Sequence, residues 1–150
     1  IDAKQAQTYI DLYFARYPGV KRYMDSTRDS AHKRGFVETL YGRRLYLPEI
    51  NSRNKMRQKA AERTAINAPL QGTAADIIKQ AMIAIDAWLI ESDFDARMIM
   101  QVHDELVLEV NQRDVEKIVS ILPKYMCDPF SLDVPLIVDI GVADNWDAAH

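Results

Sequence analysis

The sequence predicts an α+β fold in which helices pack on a small antiparallel sheet. Two segments, residues 3–17 and 77–89, carry apolar side chains at helical spacing. Two runs rich in Val, Ile, Leu and Met flank residues 103–105, which is the pattern of two strands joined by a tight turn. With 150 residues, of which 48% are hydrophobic, the chain is long enough for one compact domain with a core.

The first 52 residues predict two helices and a basic hairpin. The apolar face of residues 3–17 indicates the first helix, and Pro18 with Gly19 ends it. Residues 20–34 form a second, more polar helix, and Gly35 stands where a C-terminal cap is expected. β-prone pieces then surround residues 41–44, so a small hairpin with a basic turn is expected.

A basic helix and an apolar helix are predicted next. Residues 53–67 are polar and basic, and Pro69 and Gly72 are expected to disturb or break that helix. Thr73 followed by Asp76 resembles a capping box that starts the apolar helix. We expect the apolar face of this second helix to be ordinary core.

The C-terminal third predicts two strands, a helix and a last strand. The strands lie on either side of residues 103–105, and a helix follows at about residues 113–126. Pro123 falls inside that helix and is expected to bend or shorten it. The final strand is predicted at residues 135–142.

Charge is distributed unevenly along the chain. The net charge of -3 divides into +7 for residues 1–63 and -10 for residues 64–150. A basic surface beside an acidic one suits a protein that holds a polyanion in one place and a divalent cation in another. A solvated charge run is the commoner explanation of any single basic helix.

Several function classes are excluded by composition. No run approaches the roughly 18 apolar residues of a membrane helix, and no signal segment begins the chain, so we expect a cytoplasmic protein without a membrane partner. A single cysteine, Cys127, excludes an internal disulfide and a zinc site of several thiolates. The phosphate-loop, nucleophile-elbow and His-Glu-x-x-His patterns are also missing from the sequence.

A polar stripe runs along the predicted basic helix at intervals of four residues, with cations first and amides after them. Phosphates suit the cations, and minor-groove acceptors suit Arg, Asn and Gln donors, which test base-pair shape without reading sequence. The alternative is a solvent-facing helix that Asn67 caps. The stripe consists of Lys55, Lys59, Arg63, Asn67 and Gln71.

A tight turn should lift His103, Asp104 and Glu105 into solvent, where they form a candidate metal site. Mg²⁺ is held by one or two carboxylates together with water and phosphate oxygens, so Asp104 at a strand turn would supply half a site. Glu105 would tune that site, and His103 could donate to a phosphate or a sugar. A plain exposed hairpin tip is the alternative.

These motifs together resemble the C-terminal part of the bacterial family A DNA polymerases, the group of DNA polymerase I. Gln-Val-His-Asp-Glu-Leu-Val at 101–107 is similar to that family's palm motif with a catalytic aspartate, and residues 61–79 are similar to a long palm helix. Further similarity lies at residues 13–20, 38–44 and 145–150. The resemblance runs from end to end.

The resemblance implies a fragment of a DNA-directed DNA polymerase, with fingers-side helices and the basic hairpin at residues 1–52 and a palm portion at residues 53–150. Asp104 would bind catalytic Mg²⁺, or Mn²⁺ as a substitute, with Glu105 beside it. The strands would belong to an antiparallel palm sheet. DNA-binding residues would be Arg63, Asn67, Gln71 and His103, with Lys55, Arg57 and Lys59 from the basic helix.

The same resemblance predicts that this chain holds half an active site. The palm motif with the other metal-binding aspartate and the nucleotide-binding fingers helix have no counterpart in residues 1–150. The expected partners are therefore primer-template DNA, deoxynucleoside triphosphates and the upstream remainder of the polymerase, in a bacterial, nucleoid-associated setting. The isolated chain should be inactive. A non-catalytic nucleic-acid-binding module and a metal nuclease are the competing hypotheses.

Overall fold

The computed structural model describes residues 2–127 and 132–149. The chain forms two compact units, Ile1–Thr73 and Ala74–His150, called here the N-terminal and C-terminal units. Helices with two small antiparallel sheets confirm the α+β prediction. The elements in order are α1 (Ala3–Arg16), α2 (Pro18–Arg34), β1 (Phe36–Glu38), β2 (Arg44–Tyr46), α3 (Lys55–Glu91), β3 (Ala96–Val102), β4 (Glu105–Val110), a 3₁₀ turn (Gln112–Asp114), α4 (Val115–Cys127) and α5 (Trp146–Ala149).

Capping residues set the ends of the first two helices. Asp2 accepts from the N–H of Gln5 at 2.7 Å, which begins α1 with a capping box. Pro18, expected to end α1, is the first residue of α2, a position where the missing N–H costs nothing. Gly35 ends α2 with a left-handed φ of 74°, as predicted.

The hairpin of β1 and β2 closes against a small apolar core in the N-terminal unit. Phe36 pairs with Tyr46 and Glu38 with Arg44, which confirms the predicted hairpin. Half of the buried side chains of this core are alanines, one on α2 and two on α3. Its buried members are Ala31, Val37, Leu47, Ile50, Ala61 and Ala65.

One long helix replaces the two that Pro69 and Gly72 were expected to separate. The structure has α3 unbroken from Lys55 to Glu91, so the predicted helix break is wrong. Thr73, predicted as a cap, lies inside α3, where its hydroxyl donates to the Pro69 carbonyl at 2.6 Å. Tertiary contacts around this segment outweigh the local cost of the proline and the glycine.

The C-terminal unit has its own core between α3, the second hairpin and α4. Ile85, Leu89, Ile118 and Leu122 are buried there, and the Trp88 ring stacks on Tyr125 at 4.8 Å. The predicted helix near residues 113–126 is confirmed as α4, which continues through Pro123 to Cys127.

The last predicted strand is not formed. Residues 135–142 have no regular secondary structure, although Ile140 packs on the core. In the parts of the chain that the structure describes, β3 and β4 pair only with each other. A strand needs a neighbouring strand with which to form backbone hydrogen bonds, and no described strand pairs with this segment. Its apolar residues therefore contribute by packing.

Candidate nucleic-acid interface and metal-binding turn

The polar stripe lies on the exposed side of α3 in the N-terminal unit. Asn54 begins the helix by accepting from the N–H groups of Met56 and Arg57 at 2.9 and 3.3 Å. Ala61 and Ala65 face the core and are 8% and 0% exposed. The residues of the stripe share one side of the helix and are all exposed: Lys55, Lys59, Arg63, Asn67 and Gln71.

The donors of the stripe differ in their availability. The Lys55 ammonium donates to Gln58 at 2.9 Å, and Arg57, on another side of the helix, lies 3.7 Å from the Glu49 carboxylate. Within residues 2–127 and 132–149, the side chains of four members make no hydrogen bond or ion pair: Lys59, Arg63, Asn67 and Gln71. Their donors are therefore free to bind a ligand along the helix.

Continuity of α3 fixes the geometry that the sequence left open. Because the helix does not break at Pro69, Arg63, Asn67 and Gln71 lie in one register. Eight residues of helix span about 12 Å and rotate by about 80°, so the three side chains form one narrow row. At about 3.4 Å per base pair, that row is as long as three to four base pairs of duplex.

The second candidate site is the two-residue turn between β3 and β4 in the C-terminal unit. Val102 pairs with Glu105, so His103 and Asp104 alone form the turn, and both are exposed. His103 has a φ of 52°, a left-handed conformation that costs a non-glycine residue about 1–2 kcal/mol. The Gln101 amide donates to the His103 carbonyl and supports this turn. Such strained residues concentrate at functional sites.

A β-bulge in β3 determines which face of the hairpin the side chains near the turn occupy. Ile99 has no partner, since Met98 pairs with Leu108 and Met100 with Val107. Leu106 and Leu108 pack on the core, so Glu105 lies on the opposite face of β4 and is half-buried. Glu105 was expected in solvent with its neighbours, but as the first residue of β4 it belongs to the sheet.

The chemistry of the turn fits half of a magnesium site. In the described part of the chain, no group of three or more His, Cys, Asp or Glu side chains is placed to hold a metal ion. An ionised carboxylate offers only acceptor oxygens, and Mg²⁺ takes one or two carboxylates while keeping several waters. Asp104 is exposed and could supply one such ligand.

The sequence did not indicate a polar cluster that ties α2 to α3. The two ring nitrogens of His32 lie 2.8 Å from the Asn51 Oδ1 and 3.0 Å from the Glu62 Oε1. Asn51 first, and then Glu62, raise the pKa of His32 by accepting hydrogen bonds from its ring. No spacing rule connects positions 32, 51 and 62, so only the tertiary fold reveals the cluster.

Comparisons with known proteins cover nearly the whole chain. The model of the DNA polymerase family A matches residues 1–148. DNA polymerase I of Pseudomonas aeruginosa is 62% identical over 150 residues, which is 100% of this chain and 16% of that protein. DNA polymerase I of Deinococcus radiodurans is 46% identical over 142 residues, 95% of this chain and 15% of that protein.

A solved structure shares the fold. The POL domain of Pol1 from M. smegmatis, in complex with DNA primer-template and dNTP, superposes with a TM-score of 0.96 at 42% identity and covers 99% of this chain and 26% of that chain. This chain spans about one sixth of the length of the curated relatives it matches. No described helix is both long and apolar enough to cross a membrane. With a family match over nearly its whole length, the chain belongs to DNA polymerase family A.

Proposed function

We propose that this chain is the part of a DNA-directed DNA polymerase that holds the primer-template duplex and supplies one metal-binding carboxylate. The reaction adds a deoxynucleotide to the primer 3′ end: the 3′-hydroxyl attacks the α-phosphate in line, and pyrophosphate leaves. The observation that carries the proposal is the exposed Asp104 carboxylate on its strained two-residue turn, in a chain that belongs to this family. The solved relative is a complex with DNA primer-template and dNTP, which supports the same substrates for this chain.

Each side chain has a distinct part in this proposal. Asp104 would hold Mg²⁺, with Mn²⁺ as a substitute, and Glu105 would tune that ligand from the adjacent strand. The bound ion would offset the negative charge that builds on the reacting phosphate. His103 would lie near the primer terminus. Arg63, Asn67 and Gln71 would contact the minor groove, whereas Lys55, Arg57 and Lys59 would bind phosphates.

The rest of the polymerase would complete the active site. Two-metal transfer needs a second carboxylate, and the triphosphate needs further cations, which we assign to sequence outside these 150 residues. The exposed apolar face of α1, with Tyr9, Ile10 and Tyr13 between 47% and 65% exposed, supports packing against that remainder. Residues 1–52 would belong to the fingers side and residues 53–150 to the palm, in a cytoplasmic, nucleoid-associated enzyme.

The test is a pair of variants in the full-length polymerase. Asp104→Asn keeps the size of the side chain and removes its charge, so single-turnover primer extension should fall by roughly 10³-fold or more, while the Kd for primer-template changes less than about threefold. Asp133→Asn, an exposed acid outside the turn, is the matched control and should extend primers normally. An Asp104→Asn enzyme with a near-normal rate would remove Asp104 from the mechanism.

A second test uses the 150-residue chain alone. It should bind primer-template weakly and extend no primer, because it has only one of the required carboxylates. Measurable extension by the purified chain would contradict the division of the active site proposed above.

A further inference from the structure

The segment of α3 that carries the amide side chains is intrinsically weak. Pro69 has no N–H to donate to the Ala65 carbonyl, and a proline inside a helix costs about 3 kcal/mol. Gly72, three residues later, adds about 1 kcal/mol relative to alanine. Helices kink at such places, so an α3 that continues unbroken through Pro69 calls for support from outside the helix.

That support comes from the hairpin turn at residues 39–43. The Leu40 N–H donates to the Thr73 hydroxyl at 3.0 Å, and the Arg43 guanidinium donates to the Gly72 carbonyl at 2.9 Å. The Thr73 hydroxyl in turn donates to the Pro69 carbonyl. The turn is therefore connected to the helix on the C-terminal side of Pro69.

A second contact supports the N-terminal side. The Tyr23 hydroxyl, on α2, donates to the Ile66 carbonyl at 2.9 Å. Burial raises the pKa of Tyr23 above its ordinary value, so the hydroxyl, which is protonated at neutral pH, also stays a donor in more alkaline solution. External hydrogen bonds thus reach α3 on both sides of Pro69.

Gly72 allows the hairpin turn to reach the helix. A Cβ at position 72 would lie 2.6 Å from the Thr39 Cγ2, which is too close for two carbon atoms. Thr39 cannot easily rotate away, because its hydroxyl accepts from the N–H groups of Tyr41 and Arg43 at 3.3 and 3.2 Å. The turn and the helix fit each other only with glycine at this position.

We propose that this hairpin turn positions Gln71, and so sets how strictly the polymerase rejects a mispaired primer end. Asn67 and Gln71 stand on opposite sides of Pro69, and Gln71 precedes the glycine that the turn contacts. The inference rests on the proposed function. Thr39, Gly72 and Thr73 are positioning residues in it, since none has to touch DNA.

The size of the effect follows from the helix geometry. A kink of about 20° at Pro69, acting over roughly 8 Å to the tip of the Gln71 side chain, moves its amide by about 3 Å. A hydrogen bond tolerates only a few tenths of an ångström around 2.9 Å. Loss of support should therefore remove the contact of Gln71 with the base pair.

The experiment compares glycine variants of the full-length polymerase on paired and mispaired primer ends. Gly72→Ala should raise the ratio of mispaired to paired extension by roughly fivefold, the value of one hydrogen bond, and Gln71→Ala should do the same. Thr39→Ser removes the crowding methyl and keeps the hydroxyl, so Thr39→Ser combined with Gly72→Ala should restore the wild-type ratio. Gly19→Ala, whose Cβ would meet only Arg22 at 3.8 Å, is the matched control.

The outcomes separate this inference from the proposed function. If Gln71→Ala raises the ratio but Gly72→Ala does not, or if Thr39→Ser fails to rescue it, the positioning role is wrong. If Gly72→Ala does not fold, Thr73→Val is used in its place, because valine keeps the shape of threonine and loses both hydrogen bonds of the hydroxyl. An unchanged ratio of mispaired to paired extension in Thr73→Val also overturns the inference. A wild-type polymerase that extends no primer refutes the proposed function itself.

Discussion

The polar stripe makes a positional prediction about mismatch discrimination. Arg63, Asn67 and Gln71 follow one another at intervals of about 6 Å along α3, which is slightly less than two base pairs. If α3 lies along the minor groove, each donor tests a different base pair behind the primer end. Replacing one of them by alanine should cost about 1 kcal/mol, or roughly fivefold in discrimination, at its own position and little elsewhere.

The assay is extension of primers that carry one mismatch at each of the last six positions, by the full-length polymerase and its three alanine variants. For each variant, one mismatch position should show the largest loss of discrimination relative to the wild type. That position should shift by about two base pairs from one variant to the next. Arg57→Ala is the control, because Arg57 lies off the stripe, beside Glu49, and should lower DNA affinity uniformly. Identical profiles for all three variants would refute the idea that the stripe follows the groove.

Two further predictions concern the stability of the chain. Ile85 is 0% exposed, so Ile85→Ala should lower the free energy of unfolding by about 2–5 kcal/mol in urea titrations, whereas Ile83→Ala, 70% exposed on the same helix, should change it by less than about 0.5 kcal/mol. Hydrogen bonds to Asn51, the larger cause, and to Glu62 raise the pKa of His32, so protonated His32 stabilises the folded chain. This stabilisation is complete below the unfolded pKa of about 6.5 and is lost as pH rises through the folded pKa. The free energy of unfolding should fall by roughly 1 kcal/mol or less between pH 5.5 and 8.5. This fall should disappear in His32→Gln and remain in the control His103→Gln. An unchanged pH dependence in His32→Gln would contradict the assignment to His32.

The sequence correctly predicted those helices and strands whose ends or formation depend on residues within the same segment. Gly35 predicted the end of α2 because a left-handed residue ends a helix, and the apolar runs predicted β3 and β4 because strands need such residues. Pro69 was misleading, since its local cost is outweighed by contacts from Tyr23 and the turn at residues 39–43, which no pattern near Pro69 encodes. Residues 135–142 have the composition of a strand, but no described strand pairs with them.

The candidate site shows the same division. The four-residue spacing predicted that the stripe residues share one side of a continuous helix, because helical periodicity alone decides that, and α3 is continuous over all of them. It could not predict which donors are free, since the partners of Lys55 and Arg57 depend on side-chain conformation and on the loop that carries Glu49. The roles of Asp104 and Glu105 were inferred from the chemistry of carboxylates at a strand turn and from the resemblance to the family, and they stay predictions until the variants are measured.

The bulge at Ile99 constrains how the β3–β4 hairpin can change in length. Side chains alternate between the two faces of a strand, and the unpaired Ile99 reverses that alternation once before the chain reaches His103. Deleting Ile99 would restore regular alternation and exchange the inner and outer side chains of one strand relative to the other. A single residue added elsewhere within either strand would do the same unless a second bulge absorbed it.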